Sequence, residues 1–124
     1  MAHVLVADDD ADVRSVLRKA LTKMGHQVWD VADGAEALEL LKTTPFDLVL
    51  TDVYMTEMNG VELLVRIQQL KLGVPVVVIS GGGVRSSAEV LNAAATRGAA
   101  AVLDKPFTLD ELRETIEPIL TRRV

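Results

Sequence analysis

Five short apolar runs, at residues 4–7, 27–31, 48–50, 76–79 and 100–103, alternate with five longer segments in which apolar residues recur at helical spacing. No other feature constrains the fold as strongly. Each run is long enough for a strand, and each intervening segment can cross over and return the chain in the same direction. Four runs are almost continuously apolar, as strands covered on both faces must be. The run at 27–31 alternates instead, which predicts an edge strand. In the first and last helical segments the apolar stripes are Val13, Val16, Leu17, Leu21, Met24 and Leu109, Leu112, Ile116, Leu120. Strict alternation over five units gives an α/β domain with a parallel, doubly wound sheet and helices on both faces.

Local punctuation agrees. Asp33 before Glu36, Asn59 before Glu62 and Thr108 before Glu111 have the spacing of capping boxes. Gly25, Gly73 and Gly98 stand just past periodic stretches, where a helix commonly ends in the left-handed conformation. Pro118 is expected to loosen the last helix near its end. With 124 residues, 49% of them apolar, the chain supports one core and is read as a single domain, 1–124. It has no apolar stretch of membrane-spanning length, no signal-peptide pattern and no cysteine, so a cytoplasmic location is expected. A net charge of −5 repels phosphate backbones and argues against direct nucleic-acid binding. Protein or cation partners are expected instead.

In open parallel sheets, ligands bind beyond the carboxyl ends of the strands. Here those ends carry Asp8-Asp9, Thr51-Asp52, Ser80-Gly81 and Asp104-Lys105-Pro106. Three carboxylates drawn to one edge cannot all stay ionised without a compensating cation. Oxygen ligands without His or Cys select a hard ion, Mg²⁺ in preference to Ca²⁺. A metal, a carboxylate, a hydroxyl and a lysine point to phosphoryl transfer, with Asp52 as nucleophile and Ser80 and Lys105 on the phosphoryl oxygens. Each residue alone has an ordinary structural reading: helix cap, turn residue, loop serine, surface lysine. Their conjunction at four strand ends favours the chemical one.

These residues resemble the response-regulator receiver domains of two-component signalling over the whole chain. The likeness rests on Asp8-Asp9, "DVYMTEMNG" from Asp52, "VISGG" from Val78 and "LDKPF" from Leu103. It implies a flavodoxin-like (βα)5 domain with strand order 2-1-3-4-5. It also implies that Asp52 accepts a phosphoryl group from a sensor histidine kinase or histidine phosphotransfer protein, the change then being passed to a downstream target protein. Asp9, Asp52 and the Tyr54 carbonyl would ligate Mg²⁺, with Asp8 acting through water. Val53, Ser80, Gly81 and Lys105 would bind the phosphoryl group. A cis peptide is implied at Lys105-Pro106, and an output surface around the fourth helical segment, fifth strand and fifth helical segment.

Two positions depart from the family. Thr56 stands where most receivers carry proline, and Val102 where many carry Tyr or Phe. Valine has no ring to turn inward on phosphorylation, so the glycines at 81–83 are the expected bistable element instead, ordering when Ser80 engages phosphate. Tyr54 is a candidate screen for the acyl phosphate. An EF-hand fails, because Val13 occupies the required glycine position and Lys19 that of the bidentate Glu. A haloacid-dehalogenase motif fails at Asp12, and the glycines of a dinucleotide site follow the wrong strand. Two alternatives remain: a small aspartyl-phosphate hydrolase, and a receiver-like module that binds without being phosphorylated.

Overall fold

The computed structural model describes residues 2–53, 55, 58–80 and 98–121. Its elements run β1 (His3–Ala7), α1 (Ala11–Lys23), β2 (Gln27–Val31), α2 (Gly34–Thr43), β3 (Leu48–Asp52), α3 (Gly60–Gln69), β4 (Val76–Ser80), β5 (Ala101–Asp104) and α4 (Leu109–Thr121). The strands form one parallel sheet in the order β2-β1-β3-β4-β5. This is the flavodoxin-like arrangement. The fourth expected helical segment, with Gly81, Gly82 and Gly83, lies outside the described residues, as do Tyr54 and Thr56.

Side-chain alternation along the strands divides the core in two. On one face Leu5, Ala7, Val49, Val76 and Val78 pack against Ala37 and Leu41 of α2 and Leu63 and Ile67 of α3. On the other, Val4, Val6, Leu48, Leu50, Val77 and Ile79 meet Leu17 and Leu21 of α1 and Leu112 and Ile116 of α4. Burying each of the Val, Leu and Ile side chains among them stabilises the fold by about 1.5–3 kcal/mol. Helices on both faces explain why the central strands are apolar without alternation.

The expected edge strand, β2, is at one edge. β5 is the other edge, although its sequence reads as apolar throughout. Val102 and Ala101 belong to opposite faces of the core, so this edge strand is half-buried on both sides. At their C-terminal ends three strands also run further than their apolar residues: β3 takes in Thr51 and Asp52, β4 takes in Ser80, and β5 takes in Asp104. Apolarity reports burial, whereas strand length follows backbone pairing, which continues through Thr51↔Val78, Asp52↔Ile79 and Ser80↔Asp104. The polar residues therefore sit in the sheet and not in mobile loops.

Caps anchor the helices that flank these strand ends. Asp33 accepts from the Glu36 amide at 2.8 Å and Asn59 from the Glu62 amide at 2.8 Å. Glu36 reaches back to the Ala32 amide (3.1 Å), one residue before its cap. Thr108 and Glu111 complete a reciprocal box, at 3.1 Å and 3.2 Å. Gly25, Gly73 and Gly98 adopt φ of 93°, 70° and 91°, and Lys71 joins them at 53°. The last helix continues through Pro118 to Thr121.

Candidate functional site

β1 and β3 are neighbours, yet the chain leaves β1 toward β2 on one side and returns to β3 on the other. The crevice at this change of direction opens where the two strands end. Asp8 follows β1 directly and is 1% exposed; its amide donates to the Val31 carbonyl at 3.1 Å. Asp8 Oδ1 accepts from the Asp10 amide at 2.9 Å, closing a tight turn. Asp10 in turn caps α1, accepting from the Asp12 and Val13 amides at 2.9 and 3.4 Å. The three consecutive acids thus divide their work. Asp8 points into the crevice, Asp9 stands exposed at its rim, and Asp10 serves the helix.

Asp52 ends β3, a strand buried along its whole length. Its Oδ1 accepts from the Val53 amide at 2.9 Å, and Thr51 behind it donates to the Asp52 carbonyl at 3.0 Å. Oxygens of Asp8, Asp9 and Asp52 lie within 4.8 Å of one another. From β5 comes Lys105, whose Nζ is 3.6 Å from Asp8 Oδ2 and 4.0 Å from Asp52 Oδ1. The Lys105 amide donates to the carbonyl of the wholly buried Ser80 at 2.8 Å, which ties the fourth and fifth strand ends together. The Lys105-Pro106 peptide is cis. Val53 is buried beside Asp52, and Val102 packs half-buried on the face that carries α2 and α3. Tyr54 and Gly81 are outside the described residues.

Crowding is visible in the electrostatics. Burial pushes the Asp52 carboxyl up from 3.8 to about 6, reinforced by the charge of Asp8 and opposed by Lys105 and the Val53 amide. Burial likewise raises Asp8, against the Asp10 amide and Lys105. Asp8 Oδ2 is buried without a hydrogen-bond partner, Lys105 being too distant to supply one. An orphaned carboxylate oxygen within an all-oxygen cluster fits a hard divalent cation.

Two contributors were not singled out from the residue pattern. A Cβ at Gly60 would fall on the Asp52 carbonyl oxygen and 3.1 Å from Val53 Cα, so α3 can begin beneath the acid only with glycine there. The Gly60 amide also donates to the Val53 carbonyl at 2.8 Å. The other contributor is Arg14, whose guanidinium reaches the Asp8 carbonyl at 2.6 Å. Gly60 closes the quoted stretch that begins at Asp52, which was a usable signal. Arg14 had none, because the Asp30 carboxylate that orients it is distant in sequence and its bond to Asp8 is to a backbone carbonyl.

The family model for the response regulator receiver domain matches residues 4–117. The chain belongs to that family. This receiver is 41% identical over 122 residues to the response regulator receiver protein CpdR of Brucella abortus, an alignment covering 97% of this chain and 98% of that protein. It is 36% identical to the DNA-binding transcriptional regulator NtrC of Azospirillum brasilense over 96% of this chain, which spans only 24% of that relative. It spans 51% of the transcriptional regulatory protein PrrA of Mycobacterium leprae, at 38% identity. Among solved structures, the receiver domain of the Francisella response regulator 1452 superposes with a TM-score of 0.91 at 28% identity, covering 100% of both chains. No helix among the described residues of this receiver is long and apolar enough to cross a membrane.

Proposed function

We propose that this receiver takes a phosphoryl group onto Asp52 from a phosphohistidine of a sensor kinase or phosphotransfer protein and thereby alters a surface read by a downstream target protein. The observation that carries this reading is the convergence of the Asp8, Asp9 and Asp52 oxygens within 4.8 Å beside the Lys105 ammonium. Asp52 is mostly ionised above pH 6 and keeps its second oxygen for attack, Oδ1 being held by the Val53 amide. As the Asp52 O–P bond forms, the histidine N–P bond breaks and its electron pair returns to the imidazole, which takes up a proton. Lys105, Ser80 and Gly81 bind the phosphoryl oxygens, and Val53 joins them as its amide exchanges Asp52 Oδ1 for one of those oxygens. Asp9, Asp52 and the Tyr54 carbonyl would hold Mg²⁺, with Asp8 acting through water, and the bound ion would supply the remaining neutralisation of charge.

A donor protein must cover the rim to bring its imidazole in line with Asp52. An apolar groove of about 540 Å³, lined by Val13, Val16 and Leu17 of α1 and by Lys105, Pro106 and Phe107, opens there and suits that contact. Val16, 62% exposed, and Leu109, 51% exposed, extend the apolar surface.

Incubation with Mg²⁺ and acetyl phosphate or phosphoramidate tests the reading. The expected product carries one phosphoryl group, stable to acid and labile to base, and is absent from Asp52→Asn. Continuous phosphate release from many substrates would instead indicate a hydrolase. No mass gain would indicate a module that binds without phosphorylation.

A further inference from the structure

Asp8 is tied to the edge strand β2 directly through its amide and, by way of Arg14 on α1, through its carbonyl. Its amide donates to Val31, and its carbonyl accepts from Arg14 Nη1 at 2.6 Å. Arg14 is itself fixed by a second bond from the same guanidinium: Nε donates to Asp30 Oδ2 on β2 at 3.1 Å. Arg18 bonds the other Asp30 oxygen, with Nε at 2.8 Å. The Arg14 side chain is only 19% exposed and that of Asp30 25%, so this pair is partly shielded from water. A planar guanidinium can satisfy a carbonyl and a carboxylate at fixed separation, which an ammonium cannot.

We infer that Arg14, oriented by Asp30, is a positioning residue for metal binding: it holds the Asp8 carbonyl, and with it the turn that aims the Asp8 and Asp9 carboxylates at Asp52. Groups that orient metal-ligating side chains matter to affinity although they never touch the ion. The inference rests on the Mg²⁺ site of the proposed function.

Electrostatics and positioning predict opposite outcomes here, which makes the test sharp. Removing the positive charge held at the Asp8 carbonyl should strengthen cation binding if charge alone mattered. Loss of positioning should weaken it, by about tenfold or more. The experiment is titration of Mg²⁺ alone, by calorimetry at pH 7.5, into wild type, Arg14→Met, Arg14→Lys and Asp30→Asn, each checked by urea denaturation. Arg14→Met and Arg14→Lys are both expected to bind at least tenfold more weakly, since lysine keeps the charge but cannot span both acceptors. Asp30→Asn, which leaves Arg14 in place but poorly oriented, is expected to show a smaller loss and covers the case in which Arg14→Met does not fold. Faster amide exchange at Asp9 and Asp10 in the metal-free variants is the expected accompanying signature. Affinity equal to or above wild type in folded Arg14 variants overturns this inference alone. Absence of Mg²⁺ binding by the wild type overturns the underlying metal site as well.

Discussion

Replacing Asp52 by asparagine should make the metal-free protein more stable, and by an amount that depends on pH. In the folded chain the carboxyl titrates near 6, whereas its ordinary value is 3.8. Each unit of such a difference corresponds to about 1.4 kcal/mol, so an ionised Asp52 costs the fold about 3 kcal/mol at pH 7.5. Asparagine removes that charge, and its carbonyl can keep the bond from the Val53 amide. Its buried amide group then needs a partner, which offsets about 1 kcal/mol. The expected net gain is about 2 kcal/mol in urea denaturation at pH 7.5 with EDTA. A raised carboxylate pKa means that the folded state binds its proton before the unfolded state does. Wild-type stability therefore rises as pH falls through about 6, an effect complete below about 4. Asp52→Asn lacks this rise, so its advantage in charge energy shrinks from about 3 to about 1 kcal/mol at pH 4.5. Mg²⁺ at a hundred times its dissociation constant should restore about 2.7 kcal/mol to the wild type, and much less to the variant. Equal or lower stability of Asp52→Asn at pH 7.5 without metal, or a gain that does not change with pH, would refute the reasoning.

Lys105→Met should slow phosphorylation by small donors at least tenfold while leaving Mg²⁺ affinity undiminished, because the lysine neutralises phosphoryl oxygens but repels the cation; stopped-flow phosphorylation and calorimetry separate the two. Gly60→Ala places a methyl group on the Asp52 backbone and should cost about 2 kcal/mol or more, with weakened Mg²⁺ binding. Gly25→Ala, where φ is 93° but nothing lies within 4 Å, should cost only about 1 kcal/mol and leave metal binding alone. Thr108→Ala breaks the reciprocal cap of α4 and should lower stability by about 1 kcal/mol in denaturation, with no effect on phosphorylation.

The alternation of apolar runs with helical stripes was enough for the parallel sheet, for β2 at an edge, and for the caps at Asp33, Asn59 and Thr108. These are short-range properties, set by side-chain period and by residues within a turn of one another. The order of the strands was not of that kind. It came from resemblance, since apolar periodicity says that a strand is buried and not which strand lies beside it. The second edge, β5, was hidden for the same reason.

Residue types and their positions at strand ends already named Asp8, Asp9, Asp52 and Lys105 as a possible cluster. Chain connectivity alone left open which of three adjacent acids faces inward. That was decided when Asp10 was taken by the α1 amides and Asp8 by the turn before it. Likewise, nothing along the chain joins Arg14 to Asp30, or Gly60 to the carbonyl of Asp52. Such contacts come from how α1 lies on β2 and how closely α3 approaches β3. The raised carboxyl of Asp52 has the same origin, because desolvation and the nearness of Asp8 exist only once the sheet has closed around them.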